Sequence, residues 1–402
     1  MPYMNGEAIT GTISPMPAEV HKKLKGPPTR IFTTTNMLQF EEFVDSSIEL
    51  LVKRFDQLFS TTGKVFDFAF WANLFAYDTM GEITFSKRYG HMEAGKDVDN
   101  IIADVDKHFQ KISLVGQIPW YDLTLKITPL QSKYLKQPDS PQIVFQMTRT
   151  MERQALLQSG QALSELIERD LLSQFMKAEA ADSTLPPGVS MMWIATNIGA
   201  GSGTTAALLT ALIHFIASNP ATNSRLVSEL KSAKVSFPAS WTEVQKLPFL
   251  NACIKETERL HPGVGLHLER IVPEGGAMIC GQHLPAGTVV GANPWVTNRD
   301  KGVFGQDSEI WRPERWLVDS AKRNKMESTL LTVSILTSFF LKTEFCYLLN
   351  PTQFGAGSRV CYGVAIAQLI VAKTAATLFS TYQVSLLYFS RTGTKPYAND
   401  YW

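Results

Sequence analysis

The segment from Val189 to Ser218 contains no aspartate, glutamate, lysine or arginine and is apolar on nearly every side. At 1.5 Å per residue it makes a helix about 45 Å long, and a helix without a polar face has to be enclosed on most sides. Wrapping such a rod takes a large, mainly helical body. A chain of 402 residues, 45% hydrophobic and 19% charged, can supply one. The same composition argues against disorder and against a coiled coil. The middle of the rod, Gly199-Ala-Gly-Ser-Gly-Thr-Thr205, places Gly199, Gly201 and Gly203 inside a helix, where each costs about 1 kcal/mol relative to alanine. Either a second helix packs closely there or something bulky lies against the backbone.

Elsewhere the apolar residues also recur at helix period. Phe43, Ile48, Leu51, Phe55 and Leu58 form a stripe through Phe40 to Phe59, and Val65 to Ile83 continues in the same style. Gln161 to Met176 reads as one amphipathic helix, and Pro186-Pro187-Gly188 ends the polar stretch after it. Asn219-Pro220 opens the next helix, carried through Arg225 to Ala233. Another runs from about Phe249 to Leu260 and stops at His261-Pro262-Gly263. Short strands are expected around Leu266 to Val272, Ala277 to Ile279 and Thr288 to Val290, separated by Pro/Gly turns. After an irregular stretch that includes Trp311-Arg-Pro-Glu-Arg-Trp316, an apolar helix resumes at Val364 to Tyr382. The expected fold class is mainly α with small β-sheets, and no linker divides residues 1–402, so a single domain is expected.

Thirty-eight basic against thirty-seven acidic side chains leave a formal charge of +1. That gives no basic surface for nucleic acid. Cys253, Cys280, Cys346 and Cys361 lie far apart, so neither a zinc ribbon nor a disulfide scaffold is encoded. Met1 to Thr10 is polar, and the nearest candidate for a span, Leu330 to Leu341, is followed at once by Lys342 and Glu344 and is too short. Spanning a bilayer takes roughly 18 apolar residues, so no transmembrane anchor is expected.

The chemistry concentrates in Phe354-Gly-Ala-Gly-Ser-Arg-Val-Cys-Tyr-Gly363, directly before the last apolar helix. Spaced glycines allow a tight turn, and Cys361 stands where helix N–H groups stabilise a thiolate. A thiolate at a helix start is a metal ligand or a nucleophile. A nucleophile wants a base, and the nearest histidine in sequence, His283, is remote. One protein sulfur suits haem iron, although a lone cysteine in such a turn can also be inert. Glu256 and Arg259, three apart on a helix, read by themselves as a solvated pair worth a few tenths of a kcal/mol.

Taken together, Phe354-x-x-Gly357-x-Arg359-x-Cys361-x-Gly363, Glu256-x-x-Arg259 and Pro313-Glu-Arg-Trp316 stand in an order that resembles the cytochrome P450 family of haem-thiolate monooxygenases. The resemblance covers the chain from about His21 onward. Gly81-Glu-Ile-Thr-Phe-Ser-Lys-Arg-Tyr-Gly90 and Val115-Gly-Gln-Ile-Pro-Trp120 look like fungal members of the pisatin demethylase type. The resemblance implies a P450-like helical fold with small β-sheets and a haem b cofactor. Cys361 is then the axial iron ligand, and Phe354 and Gly357 form the loop around its sulfur. Arg359 and Arg270 pair with the haem propionates. His21 and Lys25 match the family's second propionate pair, with Lys in place of Arg; an exposed helix face explains these two equally well. Glu256, Arg259 and Arg315 become a buried structural network. Thr204 matches the alcohol that helps deliver protons to dioxygen, but Gly203 replaces the acid that normally precedes it. His267 falls where the family lines its substrate pocket, or is a hydrogen-bonded strand histidine.

The implied reaction inserts one oxygen atom from O2 into an apolar small molecule, a secondary metabolite or a phenolic, with NADPH-cytochrome P450 reductase as electron donor. Gly203 keeps open a haem-thiolate isomerase or dehydratase that does not use O2. A truncated, non-catalytic haem-binding product is the third alternative, because the chain starts close to the His21 helix and is expected to be N-terminally incomplete. The family's association with the endoplasmic reticulum then leaves this chain on the cytoplasmic face or soluble. Val333 to Gln353 is surplus to the family pattern. Its Val-Ser start and Gln end are what the two ends of an intron encode, so it is expected to be a retained intron or an insertion, and removing it joins Thr332 to Phe354.

Overall fold

A computed structural model of the chain describes residues 3–4, 7–8, 18–115, 140–160, 162–330 and 359–386. The chain divides into two compact units: residues 1–54, 69–206 and 365–367, and residues 55–68, 207–364 and 368–402. The architecture is mainly helical with small antiparallel β-sheets.

In the first unit a hairpin of β1 (Tyr3–Met4) and β2 (Glu7–Ala8) precedes α1 (Ala18–Ile31). Helix α2 (Glu41–Phe55) buries Val44, Ile48, Leu51 and Phe55 at helix period, then continues as a π-helical turn, Asp56–Ser60. Helix α3 (Phe68–Phe85) is buried on most sides. Its Asp78 carboxylate accepts the backbone N–H groups of Gly90, His91 and Met92 at 2.9, 3.2 and 2.7 Å. Burial raises that carboxyl to about 6 against the pull of these three donors. A Cβ on Gly81 would lie 2.9 Å from the Lys87 carbonyl, so only glycine lets the chain fold back there.

Helix α4 (Ile101–Val115) contacts α5 (Pro141–Gln158). Helix α5 is not among the expected helices, because its buried residues are Gln142, Gln146, Thr150 and Arg153 while Ile143, Val144, Met147 and Met151 are exposed. The Arg153 guanidinium forks onto both oxygens of buried Asp170, at 3.0 and 2.7 Å. Asp170 also accepts the Ser173 N–H at 2.8 Å and so caps α6 (Leu171–Ala180). Its extended backbone breaks the single helix expected from Gln161 to Met176 into Glu165–Arg169 and α6. The rod of the sequence is α7 (Val189–Ser218), with Trp193, Ile194 and Ile198 fully buried.

In the second unit α8 (Pro220–Ala233) and α9 (Pro248–Leu260) both start on a proline, as that residue's missing N–H favours. Strands β3 (Leu268–Ile271), β4 (Ala277–Ile279), β5 (Gln282–Leu284) and β6 (Val289–Ala292) pair as β3 with β6 and β4 with β5. Helix α10 (Ser320–Thr329) contributes Met326 to a core with Ala252, Phe304, Trp316 and Leu330. Helix α11 (Val364–Thr381) buries Leu369, Ile370, Val371 and Ala375 completely.

The expectation that no segment is long and apolar enough to cross a membrane is overturned. By length and composition both α7 and α11 meet that criterion. Counting unbroken apolar runs missed them, since Asn, Gly, Ser and Thr interrupt α7 without adding charge and Gln368 and Lys373 interrupt α11. The apolar windows of α7 and α11 are 44% and 78% buried inside the protein, and length and composition alone do not separate a span from a core helix.

Candidate functional site

Cys361 lies just before Gly363, the residue that starts α11 without any side-chain cap. The Gly363 N–H donates to the Cys361 Sγ at 3.3 Å, and the cysteine is exposed. The first turn of α11, Val364, Ala365 and Ile366, is buried and apolar. A helix start presents N–H groups and the positive end of the helix dipole, a setting that in general suits an anionic sulfur. Cys253 shows the contrast: burial first, then the charges of Glu314 and Glu229, pushes its thiol well up. Cys280 occupies the exposed turn between β4 and β5 at φ 51°. Phe354, Gly357 and Cys346 lie outside the described residues.

Arg359 stands two residues before the cysteine, and Arg270 lies in β3. Partial burial and then the Arg359 charge depress the Arg270 guanidinium. The Arg270 Nη1 donates to the Glu269 carbonyl at 2.6 Å. The effect of Arg359 on Arg270 is the ordinary repulsion of two groups of like charge. In the first unit His21 is 3% exposed, so the solvated-face explanation does not hold for it. Lys25, on the same face of α1, is half-buried.

The glycines of α7 separate into two kinds. A Cβ on Gly201 would meet the Met80 side chain at 3.1 Å, whereas Gly199 and Gly203 face open space with nothing within 4 Å. Close packing explains only Gly201. Thr204 is exposed, and its hydroxyl donates to the Ala200 carbonyl at 2.7 Å. His267 is exposed just before β3.

Glu256 and Arg259 are both fully buried, which corrects the reading of a solvated pair. The Glu256 carboxylate accepts the Arg259 fork at 2.8 and 2.9 Å, Arg315 Nε at 3.3 Å, the Arg312 backbone N–H at 2.9 Å and the Trp316 indole at 2.9 Å. Arg259 spends its other N–H groups on the carbonyls of Asn298, Ser308 and Ile310 at 2.8, 2.5 and 3.2 Å. Arg315 reaches on to the Phe304 carbonyl and to Asp307 at 2.8 Å. Its fork, opposed by partial burial and aided by Arg312, holds the Asp307 carboxyl down at about 2. The partners Trp316, Asp307 and the carbonyls were not named from sequence; the Trp311-to-Trp316 run, rich in Arg and Trp, was the visible signal. Glu258, in the same helix, is buried with no hydrogen-bond partner at either oxygen, and burial pushes it far up despite Lys255.

A cysteine at the start of an apolar helix, with Arg359 two residues before it, is the kind of thiolate donor that a haem iron takes. The chemistry of the second unit fits that group: the cysteine is exposed and in no disulfide, so its sulfur can be reached by iron. Residues 10–397 match the family model described as Cytochrome P450. The chain is 37% identical to cytochrome P450 monooxygenase cicH of Emericella nidulans over 390 residues, 96% of this chain and 73% of that protein. It is 38% identical to a cytochrome P450 monooxygenase of Aspergillus terreus, over 96% of this chain and 76% of that one. Cytochrome P450 monooxygenase asR2 of Sarocladium schorii shares 36% identity over 96% of this chain and 73% of its own length. This chain belongs to the cytochrome P450 family and is an oxidoreductase of the monooxygenase kind. Membership implies a haem cofactor, a reductase partner and a small-molecule substrate.

Proposed function

We propose that the chain oxidises an apolar small molecule, a secondary metabolite or phenolic, at a haem b held by Cys361, drawing electrons from NADPH through cytochrome P450 reductase. The observation that carries this reading is the Gly363 N–H directed at the Cys361 sulfur at the uncapped start of α11. Arg270 and Arg359 hold the carboxylates of the group by guanidinium forks. His21 and Lys25 are read, by likeness to the family, as a second propionate pair, and Phe354 and Gly357 as completing the ligand loop. Glu256, Arg259 and Arg315 brace that side and take no part in the chemistry. When bound, haem supplies dioxygen activation and oxygen-atom transfer. Likeness at Gly81 to Gly90 supports a place near the pisatin demethylase type, and residues 1–402 are read as one domain.

The test is the absorption spectrum of the reduced, carbon-monoxide-bound protein. A strongly red-shifted Soret band is expected, and its absence would overturn the thiolate reading.

Thr204 is proposed to handle the protons. Its hydroxyl donates to Ala200, which leaves the Oγ1 lone pairs to accept from a water; passing a proton on requires the hydroxyl to turn away from that carbonyl. Gly203 provides no acid to recharge it, yet the space beside it is open. Gly203→Asp therefore fits and is expected to raise the product formed per NADPH consumed. Thr204→Ala is expected to raise hydrogen peroxide release per NADPH consumed, because the proton relay is lost. Unchanged coupling and peroxide in both would remove this helix turn from proton delivery. Gly203 also supports a second reading, an isomerase or dehydratase that needs no dioxygen, which turnover without NADPH would reveal.

Residues 333–353 lie outside the described residues, and we read them as a retained intron. Transcript sequencing is expected to find messages that join the codons of Thr332 and Phe354; a single message carrying the segment would make it a coded insertion.

A further inference from the structure

Helix α1 carries Pro27 and Pro28 in its interior. A proline has no N–H for the carbonyl four residues back, so the Lys23 and Leu24 carbonyls lose their helix donors. Lys23 is exposed and water can serve its carbonyl. Leu24 is 5% exposed, and a buried carbonyl left unmet is costly. Its donor comes from α7: the Trp193 Nε1–H reaches the Leu24 carbonyl at 2.9 Å. Trp193 is fully buried, with its ring 5.6 Å from Phe175, which in turn lies 6.2 Å from Phe32 at the end of α1. The ring is held on both counts, and an indole nitrogen can only donate. Past the prolines α1 resumes its own bonding, with Phe32 N–H on the Pro28 carbonyl at 3.0 Å and the Thr29 hydroxyl on the Lys25 carbonyl at 2.9 Å.

His21, Leu24, Lys25 and Pro28 share one face of α1 by helix spacing. On α7, Trp193 and Thr204 are separated by close to three turns, so they share a face about 16 Å apart along the axis. We propose that Trp193 is a positioning residue for the cofactor-binding face of α1: its indole N–H replaces the backbone N–H that Pro28 lacks and fixes the His21–Lys25 turn to the helix that bears Thr204. The inference rests on the reading of His21 and Lys25 as holding haem carboxylates. A phenylalanine at position 193 keeps most of the ring volume and loses only the donor. An alanine at position 28 returns the helix N–H to Leu24 and makes the indole donor redundant.

The test uses the full chain loaded with haem, in four forms: wild type, Trp193→Phe, Pro28→Ala and the double variant. Two readouts are taken, the rate of haem transfer to excess apomyoglobin and the hydrogen exchange of the α1 amides. Trp193→Phe is expected to speed haem loss about tenfold, the scale of one unmet buried carbonyl, and to speed exchange in α1. The double variant is expected to fall within about twofold of Pro28→Ala alone, as a closed double-mutant cycle requires. An equal effect of Trp193→Phe in both backgrounds would mean lost ring packing and would overturn the proposal, as would no effect in either. If Trp193→Phe fails to load haem, recovery in the double variant supports the proposal and continued failure overturns it. His21→Ala and Lys25→Ala test the underlying reading separately. Unchanged haem loss in both, with exchange still rescued by Pro28→Ala, would remove α1 from cofactor binding and with it the cofactor role of Trp193.

Discussion

Replacing Cys361 with alanine is expected to abolish the red-shifted Soret band of the reduced, carbon-monoxide-bound protein while leaving the haem-free fold nearly intact. The two halves of that expectation have separate physical grounds. The Cys361 side chain is exposed, so its removal opens no cavity, and water can take the Gly363 N–H that now meets the sulfur. Surface changes of that sort alter stability by no more than about 0.5 kcal/mol. The spectrum is a different matter, because among the described residues no other cysteine stands at a helix start. Cys253 is buried and held as a thiol, and Cys280 sits in a hairpin turn away from any helix start. Cys253→Ala and Cys280→Ala should both keep the band. Chemical denaturation of the haem-free Cys361→Ala protein checks the first half and difference spectroscopy the second. A retained band in Cys361→Ala would displace the ligand assignment altogether.

The parts of this molecule that could be read without coordinates are those where a local rule and the tertiary environment agree. Helix α7 was legible as a helix because no charged residue and no proline interrupts its segment, and α8 and α9 because a proline marks each first turn. The expected ligand loop rests on glycines, a cysteine and an apolar helix that follow one another in the chain, and of these the structure describes residues 359–363 and the helix. Helix α5 was not, since its environment inverts the usual rule. Gln142, Gln146, Thr150 and Arg153 are buried and Ile143, Val144, Met147 and Met151 are not, so hydrophobic periodicity points to the wrong face. The break at Asp170 was hidden for a related reason: the residue leaves the helix to serve Arg153 and the Ser173 N–H, partners that lie off its own segment or beyond the break. Strand β5 is a short, mostly exposed Gln-His-Leu run with no apolar alternation to betray it. Glu256 and Arg259 carried the ordinary signature of a surface pair. Only the fold reveals that the Asn298, Ser308 and Ile310 carbonyls close around the guanidinium.

That closure makes Glu256→Gln the substitution with the largest expected effect on folding. Glutamine keeps the shape of the side chain and one acceptor oxygen, but it removes the only carboxylate that both Arg259 and Arg315 share at 0% and 3% exposure. Its amide N–H2 would also point at a donor, since Arg259, Arg315, Trp316 and the Arg312 backbone all donate to this group. Breaking a buried ion pair from one side costs about 3–5 kcal/mol, a large part of the 5–15 kcal/mol that holds a typical protein folded. Lower denaturation midpoints and a fall in soluble, haem-loaded protein are the expected results. Arg259→Lys should do nearly as much harm, because a compact ammonium cannot meet Glu256 and three backbone carbonyls at once as a planar fork does. Arg225→Ala provides the comparison: its pair with Glu314 has the same 2.9 Å contact but is 49% and 41% exposed. An exposed pair contributes about 0–1 kcal/mol, so this variant should unfold close to the wild type. Should Glu256→Gln do the same, the desolvated charges would be compensated by something other than each other, and the network would no longer account for the stability of the segment from Phe304 to Trp316.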